Sequence, residues 1–162
     1  MARHDEEFTA YVVASRPRLY RAAYLLSGSH HQAEDLVATA LAKLYVAWPK
    51  ARRADAIDAY ARRVLVNSHL DETRRPWRRE HPSELAALDR SVEQAAPDDE
   101  LWSALRALPP GQRRVVVLRH YWGLSVEEVA ADLGISTGTV KSQTSAALTA
   151  LRRVIHHERE AR

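Results

Sequence analysis

The chain has 162 residues, of which 46% are hydrophobic and 28% charged, a balance typical of a folded protein rather than a disordered one. It contains no cysteine, which excludes disulfides, thiolate metal ligands and a thiol nucleophile. Its first residues are acidic where a signal peptide is apolar, so we expect a cytoplasmic protein without membrane insertion.

Charge is distributed unevenly along the chain. Residues 1–80 hold 14 basic and 10 acidic side chains, residues 81–100 hold 1 and 6, and residues 101–162 hold 9 and 5. Glycine and proline are few, so we predict an all-α protein. We expect two small helical domains, 1–80 and 99–162, joined by a flexible acidic linker, 81–98. A basic surplus of this size suggests a polyanionic partner but also suits an ordinary soluble protein.

The first domain begins with an amphipathic helix. Apolar residues recur at helical spacing over 8–26, and Gly28 is predicted to end this helix. Ser29 and Gln32 then have the spacing of a capping box for a second helix, which we expect Pro49 to close. The apolar stripe of this second helix consists of Ala33, Val37, Leu41, Leu44 and Trp48.

A third helix is predicted from Ile57, with Asp55 as its cap. It runs into the arginine-rich segment 74–79. The residues expected on one side of it are Ile57, Tyr60, Ala61, Val64, Leu65 and Ser68.

The last third of the chain predicts a helix-turn-helix. A short helix over 101–108 ends at Pro109, and a second continues to Tyr121. Ser125 to Glu128 is then a capping box, and Gly134 supplies a steep turn. The next helix is capped by Ser136 and buries Val140, Ala147, Leu148 and Leu151, with Ile135 in the corner of the turn.

Small polar residues and one lysine face away from the core of that last helix. Thr137, Lys141, Ser142 and Ser145 suit a helix lying in the major groove of DNA. A solvated helix in a small bundle is the plainer interpretation, but a small residue, the turn glycine and the corner aliphatic residue coincide at the spacing of a DNA-binding motif.

Cationic and aromatic residues cluster along the third helix and after it. Cations of this kind follow phosphates, while aromatic and amide groups stack on or hydrogen-bond an unpaired base. If only its charge is considered, the cluster is equally compatible with a solvated surface and with nucleic-acid binding. It comprises Tyr60, Arg62, Arg63, Asn67, His69, Arg74, Arg75, Trp77, Arg78 and Arg79.

Several motifs together resemble one family. The segment 33–37 with Trp48, and the segment 60–67 with its following arginines, are similar to region 2 of the extracytoplasmic-function (ECF) sigma factors of the sigma-70 family. Segments 105–113 and 124–142 look like their region 4. The match spans nearly the whole chain, lacks region 3 as that branch does, and looks most like its sigma-E-like subset.

This resemblance implies a sigma factor that binds core RNA polymerase and directs promoter-specific transcription initiation. It assigns core-polymerase binding to Asp35, Leu36, Leu44 and Trp48. It assigns the minus-ten element to Tyr60, Arg62, Arg63, Asn67, Ser68, His69, Arg74 and Arg75, with Asn67 near a flipped base. It assigns the minus-thirty-five element to Thr137, Thr139, Lys141, Ser142 and Ser145.

The implied partners are the beta and beta-prime subunits of core polymerase, promoter DNA and an anti-sigma protein, and we expect the free chain to be a monomer.

The chain departs from the family pattern at two places. Ala38 and Thr39 stand where many members carry glutamine and glutamate. Ser145 and Ala146 stand where an aromatic residue and an arginine are common, which implies weaker phosphate anchoring or a different promoter.

Other functions fit the residues less well. No glycine-rich phosphate loop is present, and the adjacent histidine pairs point apart on a helix, so we expect no catalysis, no metal and no cofactor. Two alternatives remain: a regulator that binds duplex DNA without polymerase, and a helical adaptor whose basic patches are incidental.

Overall fold

The structure is a computed structural model that describes residues 2–54, 56–74 and 99–161. Within these ranges every regular element is helical, so the all-α prediction is confirmed. Contacts divide the chain into two units, Met1–Ser91 and Val92–Arg162. The predicted linker and its limits fall in residues 75–98, outside the described residues, and stay a prediction.

Four helices form the described part of the amino-terminal unit. They are α1 (Ala2–Ser27), α2 (His30–Val46), α3 (Trp48–Ala51) and α4 (Ile57–Thr73).

The turn between α1 and α2 lies where the sequence predicts it, but only the Ser29 half of the predicted capping box is formed. Gly28 has a φ of 83°, in the left-handed region that favours glycine. Ser29 caps α2, because its Oγ accepts a hydrogen bond from the Gln32 N–H at 3.0 Å. The Ser29 N–H in turn donates to Ser27 Oγ at 3.4 Å, so two serines build this cap.

Helix α2 ends at Val46, three residues before the predicted stop at Pro49. A proline lacks an N–H and its ring clashes with the preceding helical turn, so α2 cannot continue through it. Pro49 instead lies in the first turn of α3, where a missing N–H costs nothing. Trp48 therefore opens α3 instead of closing α2, which corrects the predicted stripe.

The core of this unit lies where α1, α2 and α4 pack on one another. Its large side chains are enclosed almost completely, and burying each one contributes roughly 1.5–3 kcal/mol. They include Leu26, Leu36, Leu44, Leu65 and Val66.

Helix α4 begins at Ile57, and its N-cap Ala56 makes no side-chain capping bond. The predicted cap, Asp55, lies outside the described residues. Three of the residues predicted for the inner side, Ala61, Leu65 and Ser68, are buried. The other three, Ile57, Tyr60 and Val64, are half-buried. The reason is that the buried face of α4 is rotated from the predicted one, toward the residue that follows each buried position in the chain.

The carboxyl-terminal unit contains α5 (Asp99–Ala107), α6 (Pro110–Val116), a π-helical turn (Val117–Tyr121), α7 (Val126–Leu133) and α8 (Thr137–Glu160). Helix α8 packs against α5, α6 and α7. The enclosed side chains of this core include Val115, Leu118, Val129, Val140 and Ala147.

The π-helical turn corrects the predicted continuous helix ending at Tyr121. Its exit is closed by long-span bonds, from the Trp122 N–H to the Val117 carbonyl at 3.2 Å and from the Leu124 N–H to the Leu118 carbonyl at 3.1 Å. The Arg119 guanidinium also donates to the Leu124 carbonyl. Periodicity does not distinguish such a turn from an α-helix, because the two differ by one residue per turn.

The predicted helix-turn-helix is confirmed by α7 and α8. Ser125 and Glu128 form the reciprocal capping box, with both hydrogen bonds at 3.1 Å. Gly134 has a φ of 67° and ends α7 in the left-handed conformation. Ser136 then caps α8 through its Oγ, which accepts from the Thr139 N–H at 3.1 Å.

Candidate nucleic-acid interface

Helix α8 presents the predicted polar face to solvent. Thr137, Lys141, Ser142 and Ser145 are exposed, while Val140 and Ala147 on the opposite side are enclosed. A capped amino terminus followed by small hydroxyl side chains allows close approach to a groove, because no bulky residue intervenes.

Thr139 differs from its neighbours on α8. It is half-buried, and its hydroxyl lies 2.8 Å from the Ser136 hydroxyl inside the cap. Its neighbour Ser142 donates from Oγ to the Thr139 carbonyl at 3.1 Å. Thr139 is thus engaged in holding the first turn of α8 in shape.

Helix α4 carries a second exposed stripe. Arg63, Asn67, Asp71 and Arg74 follow one another at intervals of four, four and three residues, which places them on one helical face. All four are exposed. The stripe therefore combines two cations, one amide and one carboxylate.

The remaining minus-ten candidates lie beneath that stripe or outside the described residues. Arg62, Ser68 and His69 are buried, at 6%, 1% and 4% exposure, and Tyr60 is half-buried. Arg75 lies outside the described residues. In this structure the buried members support α4 from inside the unit, whereas the exposed stripe is available to a ligand.

The core-polymerase candidates divide in the same way. Asp35 is exposed on α2, where its carboxylate lies 3.5 Å from His31 Nε2. Leu36, Leu44 and Trp48 are buried in the core of their own unit. As the structure stands, they support the helix that carries Asp35.

Sequence reasoning missed the apolar part of the exposed α2 surface. Val46 is 82% exposed and Tyr45 50% exposed, and Ala38 and Ala42 lie in the open on the same helix. The signal was present in the sequence, because these apolar residues fall outside the buried stripe of α2. A single exposed apolar residue is ordinary, but several on one face of a helix indicate a surface that a partner can cover.

An aromatic cluster fixes the end of α2. Phe8 on α1 packs edge-on against Tyr45 and Trp48, with ring centroids 5.1 Å and 5.4 Å apart. The ring centroid of Tyr11 lies 5.6 Å from that of Trp48, and the Tyr11 hydroxyl donates to Asp58 Oδ1 at 2.9 Å. Burial, and then that hydrogen bond, raise the pKa of Tyr11 well above its ordinary range.

A cationic group also lies near the start of the second unit's α6. Burial lowers the pKa of Arg113, and the neighbouring charges of Arg114 and Arg106 lower it further.

Within the described ranges no group of three or more His, Asp or Glu side chains is arranged to hold a metal ion. No helix in the same ranges is long and apolar enough to cross a membrane.

A helix-turn-helix in one unit and a cationic, amide-bearing helical stripe in the other define a DNA-binding protein of two helical units. Comparison with known proteins narrows this class. Residues 11–79 match the family model for sigma-70 region 2, and residues 98–151 match the model for sigma-70 region 4.

Relatives extend over most of the chain. The RNA polymerase sigma-E factor of Streptomyces coelicolor is 41% identical over 149 residues, which cover 90% of this chain and 84% of that protein. The ECF RNA polymerase sigma factor SigE of Mycolicibacterium smegmatis is 35% identical over 136 residues, which cover 78% of this chain and 52% of that protein.

Solved structures share the fold. The sigma factor RpoE from Bartonella quintana, solved with the anti-sigma factor NepR, superposes with a TM-score of 0.70 at 24% identity, covering 93% of this chain and 98% of that one. CnrH, solved with the cytosolic domain of CnrY, superposes with a TM-score of 0.61 at 24% identity, and the match covers 94% of this chain and 90% of that one.

The chain belongs to the sigma-70 family of RNA polymerase sigma factors, in the ECF branch. It is a transcription initiation factor that directs core RNA polymerase to promoters, and it is not an enzyme. The family resemblance seen in the sequence is thereby confirmed.

Proposed function

We propose that the exposed face of α2 binds the beta and beta-prime subunits of core RNA polymerase. Asp35 supplies a charge at one end of this face, and the apolar side chains of Tyr45 and Val46 supply contact area at the other. Leu36, Leu44 and Trp48 act from beneath by fixing the position of the helix. A face with apolar contact area at one end and a charged group at the other suits a protein partner better than a nucleic acid.

The stripe on α4 binds the minus-ten element in this proposal. Asn67 offers an amide that both donates and accepts, which suits the hydrogen-bonding edge of a flipped base. Arg63 and Arg74, one turn before and two turns after it, bind phosphates of the melted strand. Tyr60, Arg62, Ser68 and His69 hold the helix in position, and Arg75 extends the cationic surface.

Helix α8 reads the minus-thirty-five element in the major groove. Lys141 binds a phosphate or a guanine edge, while Thr137, Ser142 and Ser145 make short hydrogen bonds to bases and backbone. Thr139 keeps the amino-terminal turn in shape. With one lysine on this face, we expect a shallow dependence of this contact on salt.

The remaining assignments concern the whole chain. We place region 2 in residues 1–80, a linker in 81–98 and region 4 in 99–162, and we propose a cytoplasmic monomer. An anti-sigma protein is proposed as a regulator, because two structural neighbours were solved in complex with CnrY and NepR, the latter named as an anti-sigma factor.

One observation carries this proposal: a capped helix-turn-helix and the α4 stripe both expose DNA-compatible groups in a chain of the sigma-70 family. The test is run-off transcription with purified core polymerase on a pool of genomic promoter fragments, with and without the protein. New specific transcripts are expected, and alignment of their start sites gives the promoter sequence.

A chain that is folded but supports no new transcript would contradict the proposal. A pull-down on core polymerase then tests whether the chain binds polymerase at all, and titration of a duplex DNA fragment without polymerase tests for DNA binding by the free chain. Binding to polymerase without initiation indicates a regulator or adaptor. Tight binding to a duplex fragment without polymerase indicates a free-standing DNA-binding regulator.

A further inference from the structure

The exposed stripe on α4 contains one residue of the wrong sign for a DNA-binding surface. Asp71 follows Asn67 by one helical turn and precedes Arg74 by another. Its carboxylate side chain is 60% exposed. Next to a phosphate backbone, such a carboxylate repels the ligand that Arg63 and Arg74 attract.

A cation from the neighbouring helix reaches this carboxylate. Lys43 on α2 extends toward α4, where its Nζ lies 3.8 Å from Asp71 Oδ2. The same Nζ donates to Ser68 Oγ at 3.2 Å. Both charged side chains remain half exposed, so the pair is accessible to DNA and to solvent ions.

Ser68 determines where the ammonium group sits. Its side chain is buried, and its hydroxyl donates to the Val64 carbonyl at 2.8 Å. With the hydroxyl hydrogen committed to that carbonyl, the oxygen lone pairs are directed toward Lys43. A buried serine thus anchors the lysine one residue away from Asn67.

We propose that Lys43 and Asp71 form a charge pair that sets the affinity of the α4 stripe for promoter DNA. Asp71 weakens binding of phosphates, and Lys43 neutralises Asp71. This inference rests on the proposed role of α4 in binding the minus-ten element, and it gives a function to two residues outside that assignment.

Such a pair has a consequence for specificity. Phosphate contacts raise affinity for every sequence alike, whereas a base contact discriminates between sequences. A carboxylate within the stripe lowers the sequence-independent part of binding. The amide of Asn67 then contributes a larger share of the discrimination between promoter and other DNA.

A purely structural ion pair between α2 and α4 gives a different pattern. In that case loss of either partner loosens the contact between the helices, and both single variants weaken DNA binding in the same direction. The proposed pair instead makes the two variants act with opposite signs.

The test uses holoenzyme made with the full chain and a promoter fragment with a premelted minus-ten element, identified by the run-off experiment. Polymerase affinity is measured first, so that DNA titrations are made with the factor saturating the polymerase. The variants are Lys43→Gln, Asp71→Asn and the double variant. Arg3→Gln and Glu6→Gln on α1 are matched controls for the change in net charge, because both residues are exposed.

Lys43→Gln is expected to weaken DNA binding by about threefold and Asp71→Asn to strengthen it by about threefold, since each changes one charge near phosphates in a solvated site. The double variant is expected to return close to the wild-type affinity. Lys43→Arg keeps the charge and is expected to bind as the wild type does. The control variants are expected to change binding less than either single variant.

Weaker binding by Asp71→Asn, or equal binding by all three variants, would overturn the inference. Arg63→Gln and Asn67→Ala, measured in the same assay, test the proposed role of α4 separately. If these two weaken binding while Lys43→Gln and Asp71→Asn have no effect, the charge pair is wrong and the stripe stands. If Arg63→Gln and Asn67→Ala also have no effect, the assignment of the stripe itself is wrong.

Discussion

Asn67 lies on the outward face of α4, where its amide contributes nothing to the core of the unit. We therefore predict that Asn67→Ala lowers promoter opening by about tenfold, since a lost hydrogen-bonded base contact costs roughly 1–3 kcal/mol. Polymerase binding and the thermal midpoint of unfolding are expected to stay unchanged. Opening is measured with a fluorescent base analogue placed in the minus-ten element. Wild-type opening in this variant would contradict the assignment.

Tyr11 makes the stability of the protein sensitive to alkaline pH. Its pKa in the folded state is raised above the ordinary 10.0, first by burial and then by its hydrogen bond to Asp58. A raised pKa gives stability that is present below pH 10.0 and is lost as the pH rises through the folded-state value, because the unfolded chain releases the proton first.

We accordingly predict that unfolding free energy falls steeply above about pH 10 and that Tyr11→Phe makes the fall shallower. Urea melts at neutral pH and at about pH 10.5 compare the two proteins. Part of the fall remains in the variant, because burial also raises the pKa of Tyr20 to about 12. An identical fall in both proteins would show that Tyr11 is not responsible.

At the scale of the element, the helix-turn-helix depends on the backbone of one glycine. Gly134 has a φ of 67°, whereas Gly138 in the first turn of α8 has an ordinary helical conformation. We predict that Gly134→Ala destabilises the protein by about 1–2 kcal/mol, since an alanine is strained in the left-handed region. Gly138→Ala, the matched control, is expected to stabilise it by about 0.5 kcal/mol.

Thermal melts followed by circular dichroism measure both changes. A Cβ atom at either position meets no serious steric obstacle, with nothing within 4 Å at Gly134 and only Ser136 Oγ at 3.8 Å from Gly138. Backbone conformation is thus the variable that separates the two substitutions. Equal effects of the two would contradict the proposed reason.

Local chemistry made parts of the elements predictable from the sequence. A capping box such as Ser125 with Glu128 and a turn glycine such as Gly134 act within a few residues, so the sequence alone identifies them. The π-helical turn was not predictable, because long-span bonds and the Arg119 guanidinium stabilise it after packing. The end of α2 at Val46 likewise depends on Pro49 and on the burial of Trp48 in α3.

The candidate site was predictable to a smaller extent. Asn67 followed as a candidate from the cationic and aromatic cluster and from the family motifs, whereas its exposed position on α4 is known from the structure. Whether Arg62 and His69 lie inside or outside the unit could not be determined from the sequence, because a charged residue at the edge of a helical face turns either way with packing. The contact between Lys43 and Asp71 joins residues of two helices, and no local pattern reports it.

At the scale of the whole molecule, charge separation along the chain is the main feature. Residues 81–100 carry 6 acidic side chains and 1 basic side chain between two segments with a basic surplus. We predict that substituting Glu93, Asp98, Asp99 and Glu100 with their amides strengthens DNA binding by the free factor, since the net positive charge rises.

The effect should be largest at low ionic strength, where charges act over a longer distance. Fluorescence anisotropy with a duplex promoter fragment at two salt concentrations measures it. Unchanged affinity at both concentrations would show that the acidic segment has no influence on binding by the free factor.

The π-helical turn at Val117–Tyr121 also bears on how this sequence can vary in length. Because such a turn holds about one residue more than an α-helical turn, deleting one of its residues would restore a regular α-helix and leave the direction of the following chain nearly unchanged. Val117 and Leu118 are buried in the core, whereas His120 is exposed. Relatives that are one residue shorter here should therefore lack the residue at His120 rather than one of the buried pair.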